Sequence, residues 1–302
     1  MSGIVLDHIV KTYEKGSVLA VDQVSFEVQE AELFGLIGPD GAGKTSLFRI
    51  LTTLLLADSG NATVHGYDVV KDYKKIRNEV GYMPGKFSLY QDLSVEENLN
   101  FFATVFNTTI AQNYDLIKDI YVQIEPFKTR KAGKLSGGMK QKLALCCALI
   151  HRPTVLFLDE PTTGVDAVSR KEFWEMLQRL KSQGITILVS TPYMDEANLC
   201  ERIALIQSGK ILSVDSPHSI TASYDSILYA AKAEEMSRLL HDLRNNPIVQ
   251  SCFSFGDSLH FTVNNDNVTM NQIMSTLQHH KALEINRIAP SIEDCFIKLM
   301  KS

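Results

Sequence analysis

The sequence predicts an α/β fold, a core rich in parallel strands followed by a small α+β domain. Three features point there. Short β-rich apolar runs alternate with helical stretches through the first two thirds of the chain. A glycine-rich turn stands between a continuously apolar strand and a helical run. Beyond a shift to Ser, Asp and Pro near Ser213–Ser226, the pattern becomes β-α-β-β-α-β, the split-βαβ or ferredoxin-like order. The 302 residues suit about two domains, since one domain typically takes ~100–200.

Each element has its own signal. Ile4–Val10 and Val18–Val28 alternate apolar and polar residues, as antiparallel strands with one wet face do, whereas Leu33–Ile37 is apolar throughout and reads as buried on both faces. A helix is expected from Lys44 to about Leu56, with short strands at Ala62–His65 and Glu79–Tyr82. Residues from Gly85 to about Lys134 read as mostly helical, with Ser94 three residues before Glu97 as a capping box. Leu143–Ile150 is apolar all round and predicts a buried helix. Val155–Leu158, Ile185–Ser190 and Ile203–Gln207 are further strands. The tail reads as strand Ile227–Ala233, helix Glu234–Asn245, strand Ile248–Phe255, a turn at Gly256-Asp257, strand Ser258–Val263, helix Val268–His279, strand Leu283–Ile288 and a last helix from Ser291. The domain ranges are then 1–215, with a helical subdomain at about 86–135, a linker at 216–226, and an accessory domain at 227–302.

Composition excludes several classes. Hydrophobic residues make up 45% and charged residues 22%, close to the globular average. With 30 Lys+Arg against 35 Asp+Glu the net charge is −5, and the isoelectric point is near 5.9. Nucleic-acid binders need clustered basic residues for phosphate contacts, so no nucleic-acid partner is expected. The densest apolar run, Leu143–Ile150, is eight residues, far short of the roughly 18–20 that span a bilayer. The first residues carry neither a basic nor an apolar signal region, so a cytoplasmic location is expected. Five Cys with no C-x-x-C spacing read as small buried residues of a reducing compartment.

The chemistry starts at Gly38-Pro39-Asp40-Gly41-Ala42-Gly43-Lys44-Thr45, which fits G-x-x-x-x-G-K followed by Ser or Thr, with Ser46 next in line. Glycines let the backbone turn its N–H groups inward around phosphate oxygens, and the following helix offers its positive end to the same anion. Lys44 is placed to reach the β- and γ-phosphates, and Thr45 to ligate Mg²⁺. A nucleoside triphosphate with Mg²⁺ is therefore the expected ligand pair; the family resemblance below makes it ATP. An apolar strand ending Leu158-Asp159-Glu160 supplies the partner acids: Asp159 for the metal and Glu160 to polarise the attacking water.

Leu135-Ser136-Gly137-Gly138-Met139-Lys140-Gln141 is more specific still, because two glycines and a hydroxyl at a helix start can grip a γ-phosphate. With this segment the stretch from about Ile4 to Ser213 resembles the nucleotide-binding domain of ABC transporters. The resemblance implies a P-loop NTPase of the ABC type, with an antiparallel β subdomain, a parallel-sheet core and a helical subdomain. It implies a head-to-tail dimer as well, in which Ser136, Gly137 and Gly138 close over ATP held by the other subunit. Tyr13 would stack on adenine, and Thr163-Gly164-Val165-Asp166 would be the D-loop. Residues 87–99 resemble the start of the helical subdomain, whose surface receives membrane-spanning permease subunits. The tail from about residue 225 resembles the small C-terminal domain of drug-exporter ATPases of the ABC-2 type. In that tail His241, His260, His279 and His280 lack metal-ligand spacing and are expected to be solvated or locally bonded.

Two positions depart from the family pattern. After Val80-Gly81-Tyr82 a Gln is expected that meets Mg²⁺ and the attacking water; Met83-Pro84 leads instead to Gly85. After Ser190-Thr191 a His is expected at the γ-phosphate; Pro192 stands there, with neither an N–H nor a polar side chain. Losing one such contact typically costs on the order of 10²–10³ in rate. ATP binding should survive while hydrolysis is crippled, which implies an exporter subunit that lends its intact signature segment to a different ATPase in a heterodimer, on the inner face of the cell membrane. A homodimer is the alternative assembly. Two other readings are a regulatory module that never hydrolyses ATP and a non-transport ABC ATPase. The latter usually carries two cassettes or a long coiled-coil insertion, neither of which is seen in these residues.

Overall fold

The computed structural model describes residues 2–265 and 268–301. They divide into two compact units, with the break after Pro217.

In the first unit β1 (Ser2–Tyr13) and β2 (Val18–Gln29) form the antiparallel pair that their alternation predicts, and the chain then enters β3 (Leu33–Ile37), whose five residues are all buried. α1 (Lys44–Leu51) follows the glycine-rich turn. It stops a turn and a half before the expected Leu56, because the Thr52 hydroxyl bonds back to the Phe48 carbonyl at 2.7 Å and Thr53 turns to φ 63°. β4 (Ser59–Val64) and β5 (Tyr67–Asp68) extend the first sheet in the order β2-β1-β4-β5. After α2 (Tyr73–Glu79) comes β6 (Val80–Met83).

The region expected to be mostly helical holds α3 (Val95–Val105) and α4 (Tyr114–Tyr121), joined by loops and short 3₁₀ turns. The capping box at the head of α3 is present, with Glu97 N–H donating to Ser94 Oγ at 3.2 Å and Ser94 N–H donating to Glu97 at 2.7 Å. Residues 85–94 are irregular instead of helical, and Asn98 ties them down by bonding the Tyr90 N–H and three carbonyls. α5 (Gly137–Leu149) buries its apolar second half, as expected.

β7 (Val155–Asp159), α6 (Ala167–Ser182), β8 (Thr186–Thr191), β9 (Arg202–Gln207) and β10 (Lys210–Asp215) complete a six-stranded sheet of order β10-β9-β3-β8-β7-β6. All its pairings are parallel except the β9–β10 hairpin. The two sheets share one core with α1: Phe26 stacks on Phe34 at 5.4 Å, and Phe48 meets Phe157 edge-on at 6.1 Å. Parallel register sets Ile37 beside Thr191 and Asp159 beside Ser190. The loops after β3, β7 and β8 therefore leave from the same sheet edge, where ligands bind open α/β sheets.

α7 (Pro217–Ala222) opens in the segment read as a linker, and its Ile220 is buried. The second unit continues with β11 (Leu228–Lys232), α8 (Met236–Asn245), β12 (Val249–Phe255), β13 (Ser258–Val263), α9 (Met270–Thr276), β14 (Glu284–Ile288) and α10 (Ile292–Leu299). Its sheet is antiparallel with order β12-β13-β11-β14, the ferredoxin-like topology that the β-α-β-β-α-β pattern predicts. Leu239, Leu243, Ile273 and Leu277 pack with Tyr229, Phe261 and Val263 to form a core of its own.

Candidate functional site

The turn between β3 and α1 has its shape forced on it. A Cβ on Gly38 would lie 2.2 Å from the Ile206 carbonyl oxygen, and one on Gly43, at φ 104°, would lie 2.3 Å from that of Ala20. No other residue fits either position. The Gly38 N–H donates to the Thr191 carbonyl, and the Ala42 carbonyl accepts from the Gly209 N–H at 3.0 Å, so the loop is pinned to β8 and to the β9–β10 turn. Asp40 and Gly41 are exposed at its tip, Ala42 is buried, and Thr45 and Ser46 are half-buried on the first turn of α1.

The Lys44 ammonium is almost wholly buried, and all three of its donors are used: Gly38 O at 2.7 Å, Pro39 O at 2.9 Å and Glu160 Oε1 at 3.1 Å. Glu160 sits at φ 50°, a left-handed conformation that costs a non-glycine residue about 1–2 kcal/mol. Ser190 holds it there, accepting the Glu160 N–H both on its carbonyl at 3.1 Å and on its Oγ at 3.0 Å. The same hydroxyl donates to Asp159 Oδ1 at 2.7 Å, and Asp159 is 2% exposed. Burial, and after it the nearby Asp159 charge, pushes the Tyr82 phenol up to about 12.

The loop, Lys44, Thr45, Asp159 and Glu160 thus converge at one edge of the sheet. The donors there are hydroxyl and carboxylate oxygens, hard ligands of the kind Mg²⁺ takes, and among the described residues no hydrogen bond is made to the second Asp159 oxygen. Tyr13 joins this group through its hydroxyl, 3.0 Å from Ser46 Oγ, with the Lys11 ammonium 6.0 Å from its ring centre.

Ser136, Gly137 and Gly138 lie elsewhere. Ser136 caps α5, accepting the Met139 N–H at 3.3 Å, and a Cβ on Gly138 would meet Ser169 Oγ at 2.7 Å, so the segment packs against the start of α6. Among the described residues no hydrogen bond or ion pair joins these three to the loop 38–46. Asp166 caps α6, and hydrogen bonds from Ser169 first, then from Val168, keep its carboxyl below the usual range.

Gly85 borders the paired acids, since a Cβ there would come within 3.0 Å of the Asp159 carbonyl oxygen and 3.7 Å of Glu160 Cβ. Pro192 follows directly on Thr191, at the end of β8.

Two groups escaped the sequence reading of this site. Ser190 is one. The other is a buried network in which Glu196 Oε2 accepts from Thr191 Oγ1 at 2.5 Å and from Thr162 Oγ1 at 3.1 Å, with Arg170 Nε 3.8 Å from Glu196 Oε1. A run of hydroxyls at the end of an otherwise apolar strand was the available signal, because buried hydroxyls must find partners.

The chain is similar to known proteins in sequence and in fold. The family described as ABC transporter matches residues 21–163. The probable multidrug ABC transporter ATP-binding protein YbhF of Escherichia coli is 38% identical over 301 residues, 98% of this chain but 52% of YbhF, so the chain spans about half the length of that relative. The Nod factor export ATP-binding protein I of a Rhizobium strain is 32% identical over 307 residues, 99% of this chain and 98% of its own length. Among solved structures, CbiO1 of Clostridium perfringens, part of the ABC transporter complex CbiONQ, superposes with a TM-score of 0.65 at 23% identity over 74% of this chain and 91% of CbiO1. At that identity the likeness speaks for the fold.

Proposed function

Since the chain belongs to the ABC transporter ATP-binding protein family, and such domains bind nucleotide, we propose that it is the ATP-binding subunit of an exporter whose own site holds ATP but barely cuts it. The observation that carries this is the pairing of an intact cradle with stripped flanks. Lys44, Asp159 and Glu160 are locked in place, while the two positions beside them carry Gly85 and Pro192.

In this reading Gly38 to Ser46 wrap the phosphates, and Lys44 trades loop carbonyls for phosphate oxygens. Thr45 and Asp159 would hold Mg²⁺, which neutralises phosphate charge. Tyr13 stacks on adenine, and its bond to Ser46 ties the base position to the phosphate helix. Glu160 is the carboxylate for the attacking water, left without the Gln and His that would complete the site. Each missing contact removes on the order of 10²–10³ in rate. Ser136, Gly137 and Gly138, remote from the chain's own loop, serve the ATP of a second ABC ATPase subunit.

Permease subunits are the further partners. An apolar groove of about 330 Å³, lined by Tyr82, Met83, Leu89, Phe102 and Phe106, is the surface assigned to them, with Tyr90 and Phe101 exposed nearby. No helix among the described residues is long and apolar enough to cross a membrane, and the proposed place is peripheral, on the cytoplasmic face. The exporter class rests on the name of the Nod factor export relative, which the chain matches end to end.

The test has two arms. Calorimetry of the isolated chain with a non-cleavable ATP analogue and Mg²⁺ should register binding, and absence of uptake overturns the whole reading. ATPase assays should find barely detectable turnover alone and restored turnover with a partner ATPase, abolished by Ser136→Arg in this chain. Brisk turnover by the isolated chain would refute the crippled site. Failure of every partner to restore turnover would favour the regulatory reading instead.

A further inference from the structure

The second unit gathers groups that are far apart in the sequence. Asp242 lies on α8, and His279 and His280 lie in the connection between α9 and β14. Asp242 Oδ2 is 2.8 Å from His279 Nε2 and 3.0 Å from His280 Nε2, and one ligand atom from each of the three residues falls within 4.8 Å of the others. His279 and His280 are locally bonded, as expected, but the carboxylate they share lies 37 and 38 residues away, so the fold supplies a ligand spacing that the sequence lacks. His260 is separate, bonded to Asp294 at 2.8 Å.

We propose that Asp242, His279 and His280 form a binding site for one Zn²⁺-class transition-metal ion. Two imidazoles and a carboxylate are a borderline donor set, which favours Zn²⁺, Ni²⁺ or Cu²⁺ over Mg²⁺ or Ca²⁺. In a tetrahedral zinc site with bonds of about 2.0–2.2 Å, ligand atoms stand roughly 3.3 Å apart. The observed 2.8 and 3.0 Å need to open by a few tenths of an ångström, and the two imidazoles, within 4.8 Å of each other, need to settle to the same spacing.

Burial is graded to suit entry. The His280 side chain is 2% exposed, that of Asp242 27% and that of His279 46%, so His279 stands on the solvent side. The second Asp242 oxygen faces His241 Nδ1 at 3.3 Å, and Asn245 Nδ2 lies 3.1 Å from His241 Nε2, so groups behind the carboxylate hold its orientation, as hydrogen-bond partners of metal ligands do. Three protein ligands leave a fourth position open. Beside it is a surface hollow of about 410 Å³ lined by Arg238, Asn246 and Thr276, where an anionic fourth ligand would meet the guanidinium. The ion would staple α8 to the chain entering β14.

The test is zinc titration of the full chain, followed by calorimetry, with millimolar Mg²⁺ present to occupy the phosphate-loop site. One equivalent of Zn²⁺ should bind, and Co²⁺ in its place should give the visible absorption of a low-coordinate N/O site. His279→Ala, the most exposed ligand, and Asp242→Asn should each weaken uptake at least tenfold, while binding of the ATP analogue stays unchanged and reports an intact first unit. Circular dichroism of the variants checks that the second unit remains folded. Absence of Zn²⁺ uptake by the wild-type chain, or uptake that survives His279→Ala in a folded protein, would overturn the assignment.

Discussion

Ser190→Ala isolates the contribution of one hydroxyl to the paired acids. In the wild-type protein Ser190 Oγ donates to Asp159 Oδ1 at 2.7 Å and accepts the Glu160 N–H at 3.0 Å. The second contact is redundant, because the Ser190 carbonyl takes the same N–H at 3.1 Å. The first is not: it is a charge-assisted bond to a carboxylate that is 2% exposed. Hydrogen bonds to charged groups contribute about 1.5–3 kcal/mol. The variant should therefore lower the stability of the first unit by about 1.5–3 kcal/mol, roughly ten- to 150-fold in its folded-to-unfolded ratio. For a unit of this size, at about 2–4 °C per kcal/mol, the midpoint should fall by about 3–12 °C. Scanning calorimetry without nucleotide measures this. Ser182→Ala, which removes only an exposed bond to the Arg179 carbonyl, is the comparison and should stay within about 0.5 kcal/mol of wild type. A Ser190→Ala midpoint indistinguishable from that of Ser182→Ala would refute the role given to the hydroxyl.

Other perturbations separate the remaining parts. Gly38→Ala forces a Cβ to 2.2 Å from the Ile206 carbonyl oxygen and should cost more than about 3 kcal/mol in thermal unfolding, whereas Gly41→Ala, with φ 77° but open space, should cost only about 1–2 kcal/mol. Asp58 is held down at about 2, first by Lys11 and then by the Thr12 hydroxyl and N–H. That folded value is below the ~3.9 of an unfolded Asp, so its contribution is full above about pH 4 and lost as pH falls toward 2. Asp58→Asn should flatten this part of the acid denaturation curve. Gly85→Gln with Pro192→His should raise ATP turnover by the isolated chain by at least about 10², the contribution of one restored contact; no gain in a folded double variant would count against those two positions as the cause of the proposed low activity.

What could be read in the sequence was what a local pattern encodes. The Gly38–Thr45 turn, the apolar strand ending in Asp159 and the Ser94–Glu97 cap each state their structure within a few residues. The order of strands in the second unit followed from counting elements, since β-α-β-β-α-β admits few compact topologies. Contacts between distant segments were illegible. Ser190 reaches Asp159 across 31 residues, Thr162 reaches Glu196 across 34, and Asp242 meets His279 across 37. Helix ends were misjudged where side-chain chemistry overrode apolar periodicity, as at Thr52, whose hydroxyl competes for a helix carbonyl.

Under the proposed function the arrangement separates holding a triphosphate from cutting it. The cradle is made of backbone: its shape is dictated by the carbonyls of Ile206 and Ala20 pressing on Gly38 and Gly43, and neither Gly85 nor Pro192 takes part in those contacts. The acids are positioned from β8, through a serine that lies one residue before Thr191 and two before Pro192. A proline at 192 leaves this network in place, because the Ser190 contacts lie upstream and the Tyr193 N–H still donates to Thr191 Oγ1 at 3.1 Å. Glycine at 85 likewise leaves room beside Asp159 without disturbing it. Both departures remove side chains from the edge of the site while every support of Lys44, Asp159 and Glu160 stays in place. Under the proposed function, a chain built this way would keep the free energy of nucleotide binding available for closing a dimer, and would leave the timing of hydrolysis to the subunit that supplies the missing groups.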